Sequence, residues 1–166
     1  MRLKQFALVL FLTLTFFCVL HAVYYYPQLP ETVAMHFNAA GRPDAWAPKE
    51  EFIKLYLSTL AFSAAVFLGI AFGLPRLPTS MINLPNREYW LSPEQKQRTL
   101  GFLSTYFLWF ASATVALLCD VMHQAFQVHL GKAAALPHPV LSIGLYLGFA
   151  FVWMAGLFLR FAKRRT

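Results

Sequence analysis

Charge is what this 166-residue chain has least of. Asp, Glu, Lys and Arg together make up 13% of it, where a soluble domain carries about 25%. Acid is the scarcer sign, 7 residues against 14 basic ones. With 58% hydrophobic residues, the chain is too apolar for disorder and needs lipid or a large core to bury its surface. Cysteine is nearly absent. Cys18 and Cys119 stand singly in apolar runs, which excludes a CxxC motif and favours two small buried hydrophobes. Catalytic signatures are missing too: no HExxH, phosphate-cradling glycine loop or nucleophile elbow occurs. Glu31 and Asp44 share one loop, but nothing in the sequence supplies a pocket between them. The chain is expected to be no enzyme, with no catalytic residues and no cofactor.

Long apolar runs are what it has instead. Four stand out, at about 6–26, 52–74, 100–121 and 140–161, each near the ~20 residues that cross roughly 30 Å of hydrocarbon. The expected fold is an all-α membrane protein, one membrane domain over 1–166 with four transmembrane helices. A segment at 27–51 joins the first two helices and a loop at 75–99 joins the next two. The first run follows Arg2 and Lys4 as a secretory h-region would. It is too long for one, and "LHAV" is a poor cleavage site, so a retained helix is expected.

The basic residues then set an orientation. Arg2, Lys4, Arg76, Arg87, Lys96, Arg98, Arg160, Lys163, Arg164 and Arg165 fall on one side, and Arg42, Lys49, Lys54 and Lys132 on the other. The positive-inside rule puts both termini and the 75–99 loop in the cytoplasm. This topology accounts for the net charge of +7, so lipid rather than nucleic acid is the expected partner. In the cytoplasmic loop, Tyr89 and Trp90 suit the headgroup layer. Ser92, Pro93 and Gln95 read as a helix start, with N-cap hydroxyl, N1 proline and N3 amide. Gly69 and Gly73, and Gly144 and Gly148, have the GxxxG spacing that lets helix backbones approach, whether inside the bundle or in a homo-oligomer.

The outer segment is more structured than a linker needs to be. Val33, Met35 and Phe37 alternate with Ala34, His36 and Asn38, the period of a half-buried strand. Asn38 to Gly41 fits a type I turn closed by a left-handed glycine, and Pro43 and Asp44 continue the turn chemistry. Trp46 is placed to reach the membrane interface or to cover Phe37. Pro48, Glu50 and Glu51 suit the start of the second helix. A small folded cap, with the pattern of a β-hairpin, is expected.

"LPETVAMHFNAAGRPDAWAPK", Leu29 to Lys49, resembles the signature of domain-of-unknown-function family 1648, found in the SdpI-type immunity and signalling membrane proteins of bacteria. The signature is met by Leu29-Pro30, Val33, His36-Phe37-Asn38, Gly41, Asp44, Trp46 and Lys49. "NLPNREYWLSPE" is similar to the cytoplasmic loop of short family members. The resemblance implies a bacterial inner-membrane location and a folded outer loop. His36, Phe37, Asn38, Gly41, Asp44, Trp46 and Lys49 become the candidates for contacting a protein or peptide partner. The larger family members have further helices, which this chain is too short to hold in full.

All five histidines, His21, His36, His123, His129 and His138, lie at or beyond outer helix ends. Asp120 shares a helix face with His123, at the extreme end of the third helix. His21, His36, Asp120, His123 and His129 are therefore an alternative zinc- or copper-binding or pH-responsive set. Their spacing matches no standard metal motif, and the tolerance of histidine for membrane interfaces accounts for their placement more simply. A transporter accessory role belongs to the metal or pH alternative. For His36 the structural expectation is a bond to a turn carbonyl that orients the cap.

Overall fold

A computed structural model describes residues 2–163; Arg164 and Arg165 of the basic tail lie outside the described residues. Where the chain is apolar for longest it is helical, because a helix satisfies its backbone polar groups within one segment, as lipid demands. The helices α1 (Arg2–Tyr25), α2 (Lys49–Gly73), α4 (Lys96–His129) and α5 (Pro139–Ala162) are the four long and apolar enough to span a membrane. Between α2 and α4 lies a one-turn helix, α3 (Arg87–Trp90). Four spans put the start of α1 and the end of α5 at the same end of the bundle. The cap occupies the other.

The centre of the bundle is α4, which packs on α1, α2 and α5. Leu108, Ala111, Val115 and Phe126 of α4 meet Ala7, Phe11 and Cys18 of α1 and Phe52, Tyr56 and Leu60 of α2 in one buried cluster. Helix α5 is the outlier, touching α4 while presenting residues such as Phe151 and Val152 outward. Apolar side chains on the outside are what a lipid-facing helix requires. The GxxxG pairs do not draw helices together: a Cβ on Gly69, Gly73, Gly144 or Gly148 would meet nothing within 4 Å.

Two boundaries differ from the sequence reading. Helix α4 runs 34 residues, well past the apolar stretch at 100–121. No breaker follows Val121, and the stop comes at Gly131, whose φ of +67° accepts the left-handed cap conformation. There Lys132 N–H donates to the Gln127 carbonyl at 2.9 Å and Gly131 N–H to that of Val128 at 3.0 Å, a Schellman closure. Asp120 and His123 are thus inside the helix rather than at its end. At the other end the helix starts at Lys96, not Pro93, and no side-chain cap forms. The Ser92 hydroxyl engages the Glu94 carboxyl instead and holds it below the usual carboxylate range.

Between α1 and α2 the chain forms an antiparallel hairpin, β1 (Thr32–Phe37) and β2 (Pro43–Pro48). Asn38 organises its turn. Its backbone N–H donates to the Arg42 carbonyl at 2.9 Å, and its side-chain oxygen accepts from Ala40 and Arg42 N–H at 2.9 and 3.1 Å. Gly41 takes the left-handed position at φ +72°. The strict alternation expected in β1 is interrupted by register shifts around His36. Val33 and Ala34 are both buried, in place of the in-and-out pattern.

Candidate functional site

The cap is tied to the bundle through β1 and left open along β2. His129 of α4 donates from Nε2 to the Ala34 carbonyl at 3.0 Å, and its ring stacks on Phe37 with centroids 6.1 Å apart. The loop before α5 reaches up to the turn, where Leu136 N–H donates to the Gly41 carbonyl at 2.8 Å. At the base, Lys49 Nζ meets Glu31 Oε1 at 2.8 Å, while Lys49 N–H donates to the Glu31 carbonyl at 2.9 Å. Leu29 and Val33 are buried beneath.

His36 does orient the hairpin, through a different partner from the turn carbonyl anticipated. Its Nδ1 lies 2.5 Å from Asp44 Oδ1 across the strands, with both side chains substantially exposed. Most signature residues thus serve the cap's own structure. His36 and Asp44 cross-link the strands, Asn38 and Gly41 build the turn, Phe37 packs, and Lys49 closes the base. Trp46 is the exception. It is 61% exposed, and it does not cover Phe37, whose ring is taken by His129.

Beneath the cap, residues of α1 and α4 line an apolar cleft of about 690 Å³. Its walls include Leu14, Phe17, Cys18 and Cys119, with His21, Asp120 and His123 among its polar lining. The two cysteines, isolated in sequence, come to one cleft from neighbouring helices, and both are free thiols. His21 Nε2 lies 3.2 Å from His123 Nδ1. Gln127 donates its amide N–H to His123 Nε2 at 3.2 Å; this assigns the His123 proton to Nδ1, which then donates to His21. The rings of Tyr25 and Phe126 stack beside the pair, 4.7 Å apart.

The remaining candidates are each engaged by other partners. His129 is spent on the Ala34 carbonyl, His36 on Asp44, and Asp120 accepts from Gln124 at 2.8 Å. Among the described residues no group of three or more His, Cys, Asp or Glu side chains is arranged to hold a metal ion. Sequence reasoning missed Gln124, the buried hub between α4 and α5. Its amide donates to Asp120 and Ser142, and its carbonyl accepts from His138 N–H at 2.9 Å. Its place four residues after Asp120 was the available signal. Leu136 could not have been found, since its partner Gly41 is remote in sequence.

Four apolar helices carrying a pinned hairpin define a multi-pass membrane protein with a folded cap. A family model described as "Domain of unknown function (DUF1648)" matches residues 13–58, which run from within α1 through the whole cap into α2. An uncharacterized protein of Archaeoglobus fulgidus is 32% identical over 143 residues, covering 82% of this chain and 73% of the relative. The chain belongs to the DUF1648 family. No solved structure matches it.

Proposed function

We propose that this protein is a non-enzymatic recognition protein of the cytoplasmic membrane. Both termini lie inside and the cap lies outside, where it contacts a protein or peptide in an immunity- or signalling-like role. The observation that carries the reading is Trp46, exposed on a strand whose partner strand is anchored. A large exposed aromatic on a rigid support offers contact area at little entropic cost, which is why tryptophan is enriched among binding hot spots. Open strand β2 also leaves backbone groups available to an extended peptide.

The test is a photo-crosslinking amino acid at Trp46 in native membranes, with Phe62 on the lipid-facing side of α2 as the control position. A discrete protein or peptide adduct from position 46 alone supports the reading. Lipid adducts of the same kind from both positions contradict it.

The second reading, a metal- or pH-responsive unit, draws on the contact between His21 and His123. The two rings face each other, with Asp120 the nearby acid and Tyr25, Cys18 and Cys119 lining the same cleft. Zinc or copper titration separates the readings. Stoichiometric binding lost in both His21→Ala and His123→Ala, and kept in His36→Ala, would favour the second.

A further inference from the structure

At the end opposite the cap, α5 stops against the loop that leads into α4. Phe161 is buried there, its ring edge-on to Trp90 with centroids 5.2 Å apart. The last carbonyls of α5, which have no partner within the helix, are capped from the loop. Trp90 Nε1–H donates to the Phe161 carbonyl at 3.1 Å, and the Asn86 amide donates to those of Phe161 and Ala162, each at 3.0 Å. Trp90 is therefore buried in this clamp rather than lying free in the headgroup layer.

With those carbonyls satisfied, the cations nearby are not needed as helix caps. Arg98, Arg160 and Lys163 border a cavity of about 280 Å³, walled by Trp90, Phe102 and Thr99. Arg160 lays its guanidinium over the Phe102 ring at 3.8 Å. That stacking fixes the planar group by its face, so that its N–H edges are the part that can meet an anion. Among the described residues the side-chain contacts between basic groups and carboxylates are His36–Asp44 and Lys49–Glu31, so none of the three cations is neutralised by a carboxylate there. Glu88 and Glu94, the acids of this end, do not line the cavity.

We propose that this cavity binds the phosphate-bearing headgroup of an anionic phospholipid. It sits where α4 and α5 leave the hydrocarbon, it collects three cations, and its aromatic walls suit the boundary between headgroup and acyl chain. Basic pockets between transmembrane helices hold such headgroups. Its volume is below the about 300–1,000 Å³ of sites for drug-sized ligands, fitting a headgroup whose chains remain in the bilayer. A free phosphate shares the charge chemistry and lacks the chains, so the two sources are separable. The inference uses the membrane placement alone, and its failure leaves the reading of the cap untouched.

The experiment titrates the purified full-length protein in neutral detergent with dioctanoylphosphatidylglycerol, dioctanoylphosphatidylcholine or inorganic phosphate, following tryptophan fluorescence and native mass spectra. Saturable phosphatidylglycerol binding is expected, with phosphatidylcholine and inorganic phosphate at least about tenfold weaker. Arg98→Gln and Lys163→Gln should each weaken phosphatidylglycerol about fivefold, as expected for one cation near an anionic headgroup. Lys132→Gln, at the cap end, should change nothing. Circular dichroism melting of Arg98→Gln, an exposed position, checks that the fold is kept. Equal affinity for the two lipids, or phosphatidylglycerol binding unchanged in both variants, overturns the proposal. Inorganic phosphate binding as tightly as phosphatidylglycerol overturns the lipid assignment.

Discussion

Gly41 answers to two constraints at once. Its φ of +72° is a conformation that a side chain resists, and a Cβ there would lie 3.3 Å from the backbone N and O of Leu136. Gly41→Val should therefore cost about 1–3 kcal/mol and loosen the turn and the loop before α5 together. Ala39→Ser, in the same exposed turn, should be silent. Limited proteolysis of the cap compares them, and equal resistance would contradict the turn assignment. His36 and Asp44 make a smaller contribution. Exposed at 68% and 41%, they form a pair of the kind worth about 0.2–1 kcal/mol. His36→Ala should speed amide exchange in the hairpin modestly, while His123→Ala leaves it unchanged; an equal effect from both would contradict the separate placement of the two histidines. The turn was legible in the sequence because Asn38 and Gly41 act within four residues. The His36–Asp44 link was not, because it depends on strand register and hence on a bulge that local spacing does not reveal.

Among the elements, α4 shows where apolar runs stop being a guide. Hydropathy falls after Val121 as Gln124, Gln127 and His129 enter, yet the helix continues because hydrogen bonding, not lipid solubility, sets its length. The true end was written in Gly131-Lys132, a left-handed glycine and its successor. The helix–helix contacts were less legible. GxxxG spacing suggested close backbones that the glycines do not make, whereas the α4–α5 link runs through buried Gln124. Gln124→Leu removes that hub and strands the His138 N–H and its neighbours. A cost of about 1–3 kcal/mol follows from leaving buried polar groups unsatisfied, seen as a lower Tm in detergent. Ser142→Ala, which removes a single partner of Gln124, should lower it less. An unchanged Tm for Gln124→Leu would mean that α5 is held by its apolar contacts alone.

At the scale of the whole molecule, four spans follow from composition and length, and among the described residues there are four helices of that kind. Which end faces the cytoplasm rests on the division of Lys and Arg, a signal that acts during insertion rather than in the finished fold. The reading of the cap as a recognition surface depends on this orientation, because a cap facing the cytoplasm would meet different partners. Impermeant thiol labelling of intact cells, or of spheroplasts where an outer membrane bars access, tests it most directly. Single cysteines are placed at Ala40, Ala134 and Ser80 after Cys18 and Cys119 are replaced. Labelling at Ala40 and Ala134 with protection at Ser80 is the expected result. Labelling at Ser80 with protection of the other two would put the cap inside and contradict a recognition surface on the outer face.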